Sequence, residues 1–287
     1  MENLKIVVVD DSPFSVAMIS KILEEKGFEV VGSANSLPEA VEVVSALKPN
    51  LVTMDMTMPE ADGIECTKAI REIDPNLKVI VISSMMDEEI MRKAKKAKIS
   101  GYIQKPVDGD ELSLLIRRIM AEEELFVELE QLYATAFKEA VTDTYNRFFK
   151  SIPAYKNENS LNSELVSQGI TVVMGIIGKY SGRMILDMSV DSAKKVACSL
   201  LCKDNLSEEY VINMMGEMAN IIAGNACSML NKKNEVFGLR VAPPTVVYGE
   251  SITISKLKLD TVTSVEADTV FGEIYLNVGF NRSECDE

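Results

Sequence analysis

Short apolar runs and amphipathic stretches alternate along the first 120 residues. Ile6–Val9 is β-branched and unbroken, the pattern of a strand buried on both faces, and it stops at the acidic pair Asp10 and Asp11. Ser12 and Pro13 then offer an N-cap and an N1 proline to a helix running through Ile19, Ile22 and Leu23 to a stop at Gly27. Further runs at Glu29–Val31, Leu51–Met54, Val79–Ile82 and Tyr102–Ile103 predict strands, and helical spacing recurs near 38–47, 63–72, 87–97 and 108–120. Five strand-then-helix units predict an α/β fold: a parallel sheet covered by helices on both faces.

From Asp110 to Ile152 there is neither Gly nor Pro. The stretch reads either as one long helix or as two helices broken at Glu122-Glu123-Glu124, where like charges cluster; ordinary helix lengths favour the break. Asn157–Ser163 is polar and reads as a loop. The second half changes rhythm. Val166–Ile177 and Arg183–Met188 predict strands joined through Gly178 and Gly182, with helices at about 191–202 and 207–232. Strand patterns return at Val246–Tyr248, Leu257–Val265 and Val270–Val278, so this is a mixed α/β domain without regular alternation.

The chain has 287 residues, 30 Lys+Arg against 44 Asp+Glu and a formal charge of −14, enough length for two buried cores and an acidic balance that disfavours nucleic acid and anionic membranes as partners. There is no histidine, which removes His-based triads, imidazole-bound metals and phosphohistidine relays. Acid–base or phosphoryl chemistry must therefore run on carboxylates, amides, hydroxyls, Lys or a hard metal ion. Five cysteines are an odd number without framework spacing; Cys198 and Cys202 lack further zinc ligands, and buried apolar cysteines are expected. No leader pattern or membrane-length apolar run is present, and a cytoplasmic location is expected.

Asp10, Asp11 and Asp55 each fall at or just past the carboxyl end of a predicted strand, where an open parallel sheet keeps its ligand crevice. Three carboxylates gathered there repel one another unless a cation intervenes, and hard oxygen ligands without His point to Mg²⁺. Ser83 and Lys105 close two neighbouring strands and add a hydroxyl and an ammonium suited to a phosphoryl group. The plainer reading is that these acids cap helices and solvate strand ends. VVVDDS, MDMTMPEADG, VISS and GYIQKP together, in this order, resemble the receiver domain of response regulators, the CheY-like, flavodoxin-like fold. The resemblance covers about residues 3–120. It implies a doubly wound five-stranded sheet in the order 2-1-3-4-5, Asp55 as phosphoacceptor, and Mg²⁺ held by Asp10, Asp11, Asp55 and the Thr57 carbonyl. Ser83 and Lys105 would contact the phosphoryl oxygens, with Ser83 and Tyr102 as switch residues and a cis Lys105–Pro106 bond. Tyr102 also reads simply as a half-buried strand residue.

In the helix near 207–232, Met214, Met218, Ile221 and Ile222 form an apolar stripe, while Asn213, Glu217, Asn220 and Gly224 fall on another face. Glu217 and Asn220, three apart, can point at one spot. Gly224 costs about 1 kcal/mol against Ala within a helix, so a compensation such as close approach of another backbone is expected. An amide can hold a water in line with a phosphoryl group while a carboxylate pairs with a cation, although a polar exposed face is the plainer alternative. GEMANIIAGNA carries the Glu-x-x-Asn signature of the CheC/CheX/FliY chemotaxis phosphatases. VVMGIIGKYSGRMILDMS, PPTVVYG and VFGEIYLNVGF also resemble that family, over about 128–281. A single signature is most similar to the CheX branch. This implies that Asn220 orients the hydrolytic water, that Glu217 binds the active-site Lys of a receiver, and that the chain forms a homodimer through its C-terminal domain.

The two resemblances imply a receiver over 1–121, a helical linker and first helix of the second domain over 122–150, and a CheX-like phosphatase over 151–287. A CheA-like histidine kinase is the expected phosphodonor and a phosphorylated CheY-like receiver, its own or a separate one, the expected substrate. The alternative is a response regulator whose CheX-like domain only dimerises or docks.

Overall fold

The computed structural model describes residues 4–59, 63–84, 92, 96–97, 99–159, 165–250, 252–254 and 259–282. The chain divides into two compact units, Met1–Glu124 and Leu125–Glu287.

In the first unit, β1 (Lys5–Val9), β2 (Glu29–Ala34), β3 (Leu51–Asp55), β4 (Lys78–Ser83) and β5 (Gly101–Gln104) pair in parallel in the order β2-β1-β3-β4-β5. Helices α1 (Pro13–Glu25), α2 (Leu37–Leu47) and α3 (Gly63–Ile73) lie between the strands in sequence. Alternate residues of the central strands feed two cores. Ile6, Val8, Leu51 and Ile80 pack with Ile19 and Leu23 of α1, whereas Val7, Val9, Val52 and Val79 pack with Val44 of α2 and Ile70 of α3. Both faces are thus buried, as the unbroken apolar runs require. Ser12 caps α1, its Oγ accepting from the Ser15 amide, with Pro13 at the first turn. The expected helix near 87–97 falls almost wholly outside the described residues.

Helix α4 runs unbroken from Gly109 to Phe149, which corrects the expected break at Glu122–Glu124. Consecutive helical residues point about 100° apart, so three adjacent glutamates share no face, and Glu123 is paired with Lys78 at 2.5 Å. Leu112, Ile116 and Ile119 of α4 belong to the first unit's core, and Phe126, Leu129, Tyr133, Phe137, Val141 and Tyr145 to the second's.

The second unit contains β6 (Ala154–Asn159), β7 (Leu165–Val166), β8 (Gly169–Ile177), β9 (Gly182–Ser189), α5 (Val190–Leu201), α6 (Glu208–Lys233), β10 (Arg240–Val241), β11 (Thr245–Tyr248), β12 (Thr253–Ile254), β13 (Thr261–Thr269) and β14 (Gly272–Phe280). Among the described residues, an antiparallel sheet runs β10-β8-β9-β14-β13-β6, with β11 also on β8, and β7 pairs separately with β12. Val172, Met184, Leu186 and Leu276 turn one face of the sheet toward the helices. Residues 154–159, expected in part as a loop, form a strand on β13. The strands expected at 257–265 and 270–278 lie later, joined by a turn at Val270–Phe271. The expectation of buried cysteines holds for Cys66 and Cys227, but Cys202 is exposed. Helix α5 ends at Leu201, and Cys202 takes a left-handed cap conformation (φ 52°) that turns it outward. Cys285 lies outside the described residues.

Candidate functional site

Strands β1 and β3 are neighbours, and their carboxyl ends carry Asp10 and Asp55 side by side at the point where strand order reverses. Both carboxylates are almost fully buried, Asp10 at 1% and Asp55 at 3% exposure. Each is fixed from two sides. The Ser12 amide donates to Asp10 Oδ1 at 2.9 Å and the Thr57 amide to Asp55 Oδ2 at 2.7 Å. The Lys105 ammonium donates to both remaining oxygens, at 2.9 Å to Asp10 Oδ2 and 2.5 Å to Asp55 Oδ1. Partial burial would lower the Lys105 pKa, but its bonds to Asp55 and Asp10 outweigh this and hold it above the ordinary lysine value, so the ammonium stays charged.

Ser83, at the end of β4, is buried, and its carbonyl accepts from the Lys105 amide at 2.8 Å, which ties the ends of β4 and β5 together. The Lys105–Pro106 bond is cis. Tyr102 is half-buried on β5. The structure therefore brings together Asp10, Asp55 and Lys105, with Ser83 beside them. Asp11 is exposed, as is Thr57, and among the described residues no three acidic side chains lie close enough to hold a metal ion as they stand. The donor chemistry nonetheless fits a hard cation. Asp10 and Asp55 share one ammonium, and Asp11 adds a third carboxylate nearby in the chain, so anionic oxygen exceeds the cationic charge beside it.

Two contributors to this site were not expected in it from the sequence. The Ser12 amide orients Asp10. Gly63 begins α3 so close to β3 that a Cβ there would lie 2.5 Å from the Asp55 carbonyl, and its amide donates to the Met56 carbonyl at 3.0 Å. The Asp-Gly pair ending MDMTMPEADG was the available signal for such a close approach.

In the second unit, the buried spine of α6 is Val211, Met215, Met218, Ile222, Ala226 and Leu230. Met214 and Ile221, expected in the apolar stripe, are only half-buried and flank the outer face. Tyr210, Asn213, Glu217 and Asn220 are exposed on that face. Glu217 and Asn220 stand three residues apart, and neither side chain has a hydrogen-bond or ion-pair partner among the described residues. The expected close backbone approach at Gly224 is absent: no described heavy atom outside its own helical surroundings lies within 4 Å of where its Cβ would be.

The family model described as response regulator receiver domain matches residues 6–117, and that described as chemotaxis phosphatase CheX matches residues 170–267. The chemotaxis protein CheY of Thermotoga maritima is 44% identical over 102 residues, covering 36% of this chain and 85% of that protein. The crystal structure of a chemotaxis protein CheX from Desulfovibrio desulfuricans is similar at 22% identity and a TM-score of 0.47, covering 52% of this chain and 99% of that one. That of a CheX-CheY-BeF3-Mg+2 complex from Borrelia burgdorferi is similar at 24% identity and a TM-score of 0.45, covering 52% and 97%. Among the described residues no helix is long and apolar enough to cross a membrane.

Proposed function

The chain belongs to the response regulators through its receiver domain and carries a CheX domain after it, and from that premise we propose that it is a chemotaxis signalling protein whose CheX domain hydrolyses receiver aspartyl phosphate. The observation that carries the reading is the outer face of α6, where a carboxylate and an amide three residues apart stand exposed and unengaged.

In the receiver, an Asp55 carboxylate oxygen attacks the phosphorus of a donor such as a CheA-like histidine kinase. The new O–P bond forms as the donor bond breaks. Lys105 already bonds an Asp55 oxygen and balances the charge that gathers on the phosphoryl group, with the Ser83 hydroxyl beside it. Asp10, Asp11, Asp55 and the Thr57 carbonyl are the groups that would hold Mg²⁺, whose charge offsets phosphoryl anion when bound. Ser83 and Tyr102 would report the ester to the receiver surface.

In the CheX domain, Asn220 holds a water in line with the phosphorus of a docked receiver. The water oxygen bonds to phosphorus, the O–P bond to the aspartyl carboxylate breaks, and the proton leaves with phosphate or solvent. Glu217 offers its free carboxylate to the receiver's active-site ammonium, the counterpart of Lys105. The substrate is a phosphorylated CheY-like receiver, separate or its own, and the chain works as a homodimer through the second unit.

The test adds a catalytic amount of the full chain to a free-standing CheY-like receiver freshly phosphorylated with phosphoramidate and desalted. Accelerated phosphate release is expected. Release at the receiver's own rate, together with a change of association state when Asp55 is phosphorylated, would make the CheX domain an interaction module instead.

A further inference from the structure

Gly224 sits in the interior of α6, one turn after Asn220 and two turns after Glu217 on the same face. Glycine is the least favourable non-proline residue at such a position, and nothing described within the fold uses the space its missing side chain leaves. Other glycines of the unit do have such a use: a Cβ at Gly182 would lie 2.5 Å from the Phe280 ring, and one at Gly279 would lie 2.4 Å from the Thr261 carbonyl. A helix glycine whose missing side chain meets no described residue, beside the two residues of the candidate site, calls for an external reason.

We propose that Gly224 is a positioning residue: it keeps the outer face of α6 low enough for the backbone at a receiver's strand ends to close on the helix. Asparagine carries its amide on a side chain only two bonds long. For Asn220 to reach a water at the aspartyl phosphate, the helix backbone must itself come near the crevice. Part of the rim of such a crevice is backbone, as at Asp10–Ser12 and Asp55–Thr57, where the Ser12 and Thr57 amides bond the carboxylate oxygens that Lys105 does not. A side chain at 224, one turn from Asn220, would meet that rim first and hold the amide away. The inference rests on the phosphatase reading above and adds the feature that sets how closely the receiver docks.

The experiment compares the full wild-type chain with Gly224→Ala and Gly224→Leu. It follows phosphate release from a phosphorylated free-standing CheY-like receiver over a range of concentrations, together with thermal unfolding. For Gly224→Ala the expected result is a Tm higher by about 2–4 °C, from improved helix propensity, with KM raised about three- to tenfold. Gly224→Leu should raise KM further, and kcat should fall as well in both variants, because the Asn220 amide is held off the in-line water. A merely structural glycine would not separate in this way, since stability and docking move in opposite directions. An active wild type with unchanged KM in both variants would overturn this inference alone. So would a lowered Tm in Gly224→Ala, because it would reveal an internal use for the space. A wild type that does not accelerate release would remove the phosphatase reading and this inference with it.

Discussion

Asp187 is fully buried on β9, where Ser167 Oγ donates to it at 3.1 Å, the Gln168 amide at 3.0 Å, and Thr171 Oγ1 closely as well. Burial pushes its carboxyl above the ordinary value of 3.8, and the three donors only partly offset this. A carboxyl raised in the fold contributes most below its unfolded value and loses that contribution as pH rises through the folded value. Asn at this position does not titrate. The stability of wild type relative to Asp187→Asn should therefore fall as pH rises above the ordinary carboxylate value of 3.8 in paired urea titrations; a rise would contradict the assignment. Nothing in the run RMILDMS marks this aspartate, because its partners come from a different strand and the loop before it. Asp10, Asp55 and Lys105 were legible for the opposite reason: each ends its own strand, and parallel pairing brings strand ends together without further information. Their shared ammonium was not legible: Lys105 was expected on phosphoryl oxygens, and strand order alone does not say which carboxylate oxygens it bonds.

Among whole elements, α4 was the hardest to read. Charge clustering suggested an interruption, yet neighbouring charges on a helix diverge, and the absence of Gly and Pro proved the stronger guide. Residues Phe126 to Tyr145 of α4 are core and not connection: Leu129 has 0% exposure. Leu129→Ala should accordingly lower the stability of the second unit by about 2–5 kcal/mol. A chemical denaturation change within about 0.5 kcal/mol, the range of surface substitutions, would mean that this stretch is only a linker. Strand β6 was hidden by its polar composition, which an edge strand tolerates because among the described strands it pairs only with β13; its Lys156 bridges to Asp268 at 2.8 Å. Helix α6 showed its polar face at sequence level but not its exact rotation. Met215 and Ala219 turned out to be buried while Met214 and Ile221 sit at the flanks, a difference of one position that hydrophobicity alone does not resolve.

In the proposed function, the receiver forms an acyl phosphate and the CheX domain of the same polypeptide removes one. The missing histidine fits that proposal: it leaves no phosphohistidine relay within the chain, and the proposed hydrolysis rests on an amide and a carboxylate. The proposed hydrolysis turns on Asn220. The decisive measurement is the rate of phosphate release from a phosphorylated free-standing receiver driven by the full chain and by its Asn220→Ala variant, with folding of both verified by circular dichroism. Loss of water positioning should slow the variant by about 100-fold or more. Equal rates for two folded proteins would contradict the assignment of hydrolysis to this face of α6.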